Sequence, residues 1–206
     1  DAGLHNIWVT NGYITPQAFA SISSLIDAAN IDLKSFHNDY YRAHCKANLV
    51  PVLDTIRTMK EAGVWVELTT LIIPGENDSV DELAALAHFI ANIDPCIPWH
   101  ISRFYPQYQM LDNKRTPVET LEKARDIGVN EGLQYVYMGN ITHSQDTLCP
   151  RCHQPVIRRT LRGTDTTNMY DGVCATCHMP IKGRWEAYQK TKPQLDVFHK
   201  ESGAPE

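Results

Sequence analysis

Ala28-Ala29-Asn30-Ile31-Asp32-Leu33-Lys34 decides the fold. It reads as a short buried strand that ends in an acid and a base. Residues two apart on a strand point to the same side, so Asp32 and Lys34 share a face. In a barrel of parallel strands, chemistry sits at the ends where strands stop. A surface salt bridge is the plainer reading of the pair taken alone, and the rest of the chain decides between the two.

The neighbouring segments repeat the layout. His5 to Thr10 is β-rich and stops at Asn11-Gly12. Thr15-Pro16 then gives a helix N-cap with proline at the first helical position, and that helix runs to about Leu25. Asn38 to Cys45 fits a short helix. A stronger one runs from Pro51 to Ala62, with Val52, Leu53, Ile56 and Met59 on one face. Val64 to Ile73 is the clearest strand, closed by Pro74-Gly75. Ser79-Val80-Asp81-Glu82 reads as a capping box opening a helix with Leu83, Leu86, Ala87 and Ile90 inward. Trp99 to Phe104 is a fourth strand. Thr116-Pro117-Val118-Glu119 reads as a second capping box, and Leu133 to Met138 as a fifth strand ending at Gly139-Asn140.

Strands alternating with helices mean βα units on a parallel sheet. No GxGxxG follows the first strand, so the dinucleotide-binding version lacks its fingerprint. The expected class is α/β: a partial, incomplete (β/α) barrel of about five units over residues 1–140. Polar residues gather where strands stop: Thr10 and Asn11, Asp32 and Lys34, Thr69 and Thr70, His100 and Arg103, Asn140. Singly they are ordinary; as a set they form the rim of one mouth.

The six cysteines of this 206-residue chain sharpen the picture. Cys149-Pro150-Arg151-Cys152 and Cys174-Ala175-Thr176-Cys177 are two CxxC turns with 21 residues between them. Four thiolates at such spacing suit one tetrahedral ion, Zn²⁺ before a rubredoxin-like iron. Residues 141–185 are therefore expected to form a zinc ribbon-like four-cysteine module that needs its metal to fold, with His153 and His178 as neighbours rather than ligands. Paired CxxC motifs point to a reducing, cytoplasmic setting. Residues 186–206 are polar and read as a disordered tail. A net charge of −5 and pI near 6.0 argue against a general nucleic-acid binder, and no apolar run approaches a membrane span.

Val9-Thr10-Asn11-Gly12-Tyr13, Asn30-Ile31-Asp32-Leu33-Lys34, Thr69-Thr70-Leu71-Ile72-Ile73-Pro74-Gly75-Glu76-Asn77-Asp78, Pro98 to Phe104 and Tyr135 to Asn140 together resemble the AmmeMemoRadiSam system radical SAM enzymes. These are relatives of the pyruvate formate-lyase activating enzymes, and the likeness runs through the CxxC pairs. The resemblance implies a partial radical SAM barrel. In such enzymes a [4Fe-4S] cluster reductively cleaves S-adenosylmethionine to a 5′-deoxyadenosyl radical that abstracts hydrogen. In activating enzymes the hydrogen comes from a glycine on a partner protein, and flavodoxin or ferredoxin supplies the electron. It further implies S-adenosylmethionine contacts at Asn11, Asp32, Leu33, Lys34 and His100. The family's CxxxCxxC cluster motif is absent from these residues. The chain, which starts at Asp1, is accordingly expected to be the C-terminal part of a longer enzyme and inactive alone. Two competitors are a zinc-ribbon binding module on a barrel scaffold without catalysis, and an aldolase-type barrel using Lys34 as a Schiff-base lysine.

Overall fold

The computed structural model describes residues 4–142, 145–160 and 163–185; the tail expected from residue 186 onward lies outside them. Five parallel strands form one sheet: β1 (Ile7–Thr10), β2 (Ala28–Asp32), β3 (Trp65–Ile72), β4 (Trp99–Arg103) and β5 (Val136–Gly139). Their spatial order is the chain order, β1 to β5. A doubly wound sheet would reverse its order at a switch point. Here the sheet is singly wound, as in a barrel wall, and right-handed crossovers put every helix on one face.

Those helices are α1 (Pro16–Ile22), α2 (Asn38–Tyr40), α3 (Leu49–Glu61), α4 (Val80–Ile93) and α5 (Val118–Asn130). Period-two alternation sorts each strand between the faces. Ala29, Ile31 and Leu33, then Val66, Leu68, Thr70 and Ile72, then Trp99 and Ile101 are buried toward the helices. Ala28, Asn30 and Asp32, with Trp65, Glu67 and Thr69, and His100 and Ser102, point to the other, open face. Gly128 of α5 lets the helix lie close: a Cβ there would meet the Trp99 ring at 3.0 Å.

Two of the expected caps are built differently. Thr15 caps α1 as read, its hydroxyl accepting from the Ala18 N–H. Ser79 also accepts from the Glu82 N–H, but the Glu82 side chain does not return to Ser79. It is buried and accepts from the Ser35 hydroxyl and the Phe36 N–H instead. Thr116 caps nothing. Its hydroxyl donates to the Ile72 carbonyl at 2.6 Å and accepts from the Phe104 N–H at 3.1 Å. It therefore ties the ends of β3 and β4 together.

The second part of the chain is a small β module. β6 (Thr147–Leu148), β7 (Pro155–Thr160) and β8 (Gly163–Asp165) form an antiparallel sheet, and β9 (Met169–Tyr170) pairs with β10 (Val173–Cys174). Its core of Cys149, Val156, Ile157, Cys174 and Ile181 includes Tyr135, the residue leading into β5. The module thus packs on the barrel rather than standing apart. The Gln145 side chain accepts from the Met138 N–H, which occupies the outer edge of β5.

A buried amide holds the rim. Asn77 donates to the Lys34 and Leu71 carbonyls at 2.6 and 2.9 Å and accepts from the Ile73 N–H at 2.7 Å. Replacement by alanine strands three backbone groups, the buried Ile73 N–H and the part-buried Lys34 and Leu71 carbonyls. Asn77→Ala should lower unfolding stability by about 2–4 kcal/mol in denaturant melts, where a loss below ~1 kcal/mol would contradict this account.

Candidate functional site

The open face carries a continuous polar row. The register pairs Asp32 with Thr69, Thr69 with His100, and His100 with Tyr137. Neighbouring strands are about 4.8 Å apart, so Asp32 and His100 lie about 10 Å from each other. Lys34 Nζ meets Asp32 Oδ2 at 2.9 Å. The Lys34 backbone is held on both sides: its N–H donates to the Tyr41 hydroxyl at 3.1 Å, and its carbonyl accepts from Asn77. Burial raises the Tyr41 phenol well above its ordinary pKa, which keeps that group a neutral hydroxyl.

Asn11 and Lys34 line one pocket of about 480 Å³, together with Tyr13, Tyr40, His44 and Cys45. It lies over the ends of β1, β2 and β3. Its outer wall is a turn of π-helix, Tyr41–Cys45, closed by Lys46 at φ 53°; such turns occur often at functional sites. His100 does not line this pocket. It is the second residue of β4, not the last, and faces a separate cavity described below. Leu33 faces the core rather than the open face. Its side chain is fully buried, its N–H donates to the Thr69 carbonyl, and its carbonyl accepts from Thr70. Its backbone thus ties β2 to β3. Thr70 likewise belongs to the core, accepting from the Trp99 indole at 2.9 Å. Arg103 Nε donates to the Thr116 carbonyl at 2.6 Å.

Two residues outside the expected contact set complete the row. Thr69 donates to the Asn30 amide oxygen at 2.8 Å. Glu67 lies 2.8 Å from His100 Nε2 and accepts from the Trp65 indole at 3.0 Å. His100 also stacks on Tyr137, with centroids 5.3 Å apart. The alternation Trp65-Val66-Glu67-Leu68-Thr69 puts Glu67 on the face of Thr69, a signal by which it can be found.

At the module, the Sγ atoms of Cys149, Cys152, Cys174 and Cys177 lie within 4.8 Å of one another. The pairs Cys149–Cys177 and Cys152–Cys174 are 3.5 and 3.7 Å apart. Zn–S bonds of 2.3 Å in a tetrahedron give S···S edges of about 3.8 Å. The set therefore fits one ion. A cubane cluster, which binds each thiolate to a different iron, would spread the sulfurs farther. The two turns have the same hydrogen bonds. Cys149 N–H donates to the Gln154 carbonyl and His153 N–H to the Cys149 carbonyl; Cys174 donates to Met179, and His178 to Cys174, all at 2.9 Å. His153 and His178 occupy the left-handed positions, φ 57° and 59°. They close the turns through their backbones. The Cys177 N–H, and after it that of Thr176, lowers the Cys174 thiol pKa, favouring the thiolate that a metal needs.

The His100 hydrogen bond holds the Glu67 carboxyl below its ordinary pKa, against burial that pushes it up, with Trp65 assisting. A carboxylate depressed on folding contributes stability above its unfolded pKa and loses it as pH falls through the folded value. The His100→Phe variant should raise the Glu67 pKa in a carboxyl NMR titration. An unchanged value would remove His100 as the cause.

Residues 1–89 match the Radical SAM superfamily. An uncharacterized protein of Methanocaldococcus jannaschii is 41% identical over 170 residues, covering 81% of this chain and 50% of the relative. The chain thus spans about half the length of the curated relative it matches. Among solved structures, a domain of the pyruvate-formate lyase-activating enzyme from Bacteroides vulgatus superposes with a TM-score of 0.57 at 21% identity, over 67% of this chain and 83% of that one. A radical SAM methyltransferase from Sphaerobacter thermophilus gives 0.51 at 15% identity, over 64% and 39%. The superfamily match thus covers the first 89 residues, and the parallel sheet shares its fold with the activating-enzyme domain.

Proposed function

We propose that this chain is the C-terminal part of a radical S-adenosylmethionine enzyme of the AmmeMemoRadiSam type. On this reading it supplies the binding end for S-adenosylmethionine and a zinc-holding four-cysteine module. The observation that carries the reading is the Asp32–Lys34 pair, fixed by Tyr41 and Asn77 at the mouth of a radical SAM-like sheet. The donor set suits the cofactor. Lys34 can take a methionyl carboxylate, Asp32 can accept from the amine or ribose, and Asn11 offers a further amide. The resemblance also gives His100 as a contact; it stands two strands along the same row but lines the separate seam cavity.

In the complete enzyme a [4Fe-4S] cluster would supply the electron that cleaves bound S-adenosylmethionine for hydrogen abstraction; the activating-enzyme likeness favours a glycine of a partner protein as the hydrogen donor, with flavodoxin or ferredoxin as reductant. The residues present do not fit the cluster. CxxxCxxC is absent from the 206 residues. Cys45 lines the rim pocket, while Cys96 lies beside Gln134 at the opposite end of the sheet. The cluster ligands would come from sequence outside this chain, and β1, whose Ile7 and Val9 side chains are exposed, is the edge on which the rest of the barrel would build. The four-cysteine module places apolar surface against Tyr135, which favours a capping role over a free zinc-ribbon docking module. A Schiff-base role for Lys34 needs an apolar pocket, and Asp32 at 2.9 Å disfavours it.

Metal analysis of anaerobically purified chain should find one zinc and no cluster iron after iron–sulfide reconstitution. S-adenosylmethionine should bind, with Lys34→Gln weakening it at least tenfold, and dithionite should release no 5′-deoxyadenosine. Reductive cleavage by these residues alone, or binding indifferent to Lys34→Gln, would overturn the assignment.

A further inference from the structure

A second cavity, of about 520 Å³, lies in the seam between the four-cysteine module and the sheet, a volume typical of small-molecule sites. Neither part makes it alone. The sheet contributes Trp65, Glu67, His100 and Tyr137; the module contributes Arg159, Lys182 and Trp185.

Its charge is lopsided. Among the described residues, Glu67 is the one carboxylate on the wall, against Arg159, Lys182 and Arg184. Glu67 is engaged by His100 and the Trp65 indole and also lies in the field of Arg159, while Arg184 donates to the Gly63 carbonyl; the wall as a whole stays net positive. Arg159 is preorganised. Its Nη1 donates to the Gln145 carbonyl and the Thr147 hydroxyl at 2.8 and 2.9 Å, and its guanidinium lies 5.4 Å over the Tyr137 ring. The Tyr137 hydroxyl meets Thr147 at 2.9 Å, so the same threonine fixes both. Held this way, an arginine is a ready anion contact.

The other walls are aromatic and rigid. Trp185 donates to the Ile181 carbonyl at 2.7 Å. It is seated between Gly172 and Gly183, where a Cβ at either position would collide with its ring. Rigid aromatic faces beside a fixed guanidinium suit a flat ring that carries an acid.

We propose that this seam cavity is a binding site for a small aromatic carboxylate, with Arg159 as its anion contact and the Tyr137, Trp65 and Trp185 rings as its walls. The four-cysteine module is then a specificity element as well as a cap. The site goes beyond the radical reading, since it needs neither cluster nor S-adenosylmethionine.

The test is calorimetric titration of the zinc-loaded chain with indole-3-acetate, beside indole and inorganic phosphate as separate probes. Saturable binding of indole-3-acetate is expected, with Arg159→Gln weakening it at least tenfold and Lys182→Gln severalfold. Lys46→Gln, at the rim pocket, should leave it unchanged. Indole and phosphate should each bind at least tenfold more weakly than indole-3-acetate. Should Arg159→Gln lose its zinc, Lys182→Gln and Trp65→Leu carry the test alone. No saturation, equal binding of phosphate or indole, or affinity unmoved in the zinc-loaded variants would overturn the proposal. A failure to bind S-adenosylmethionine in the same preparation would strike the radical reading and leave this one standing.

Discussion

The parallel register of β1 to β5 in unbroken chain order is the constraint on which the rest of the molecule depends. Because the order never reverses, right-handed crossovers stack all the helices on one side. The odd residues of β2 and the even residues of β3 fill that side with Ile31, Leu33, Leu68 and Ile72. Among the described residues, no helix covers the remaining side chains of the same strands. They must either satisfy each other or be capped from elsewhere, and the protein does both. Asn30 accepts from Thr69 and Glu67 from His100, while the four-cysteine module closes over Tyr135 and Tyr137.

Elements whose periodicity is local were legible in the sequence. The strand Trp65–Ile72 and the helices from Leu49 and Val80 lie within a residue or two of where their patterns put them. The failures share a cause. Glu82 and Thr116 sit in sequences that spell capping boxes, yet each finds a buried partner far along the chain that outweighs the local bond. Ser35 is 47 residues from Glu82, and the Ile72 carbonyl is 44 from Thr116. A solvated cap contributes about 1 kcal/mol. A buried carbonyl or hydroxyl left unpaired costs about 1–3 kcal/mol, so the long-range partner prevails. Leu33 differs from its neighbours Asp32 and Lys34: the alternation places its side chain in the core.

The four-cysteine set was legible because tetrahedral coordination and two tight turns leave little freedom in spacing. What the turns require beyond the cysteines was less visible. A residue just past each pair must take a left-handed backbone, and here histidine does so twice. Histidine beside CxxC suggests a ligand by its chemistry, yet both backbone N–H groups are committed to closing the turn. The seam between module and sheet had no local signature at all. Its contacts join Thr147 to Tyr137 and Arg184 to the Gly63 carbonyl, the latter 121 residues away.

The open face therefore has two polar ends joined by one row. At the rim, Lys34 is balanced by Asp32, and the backbone between them is locked by Asn77 and Tyr41. At the seam, Glu67 is balanced by His100, and the surplus charge belongs to the module. Thr69 stands between, bonded to Asn30 and flanked in register by Asp32 and His100. Each acid is thus matched before any ligand arrives, Asp32 within its own segment and Glu67 across the β3–β4 pair. A ligand entering either end meets groups already oriented and does not have to order them itself, which is where preorganised sites save binding free energy.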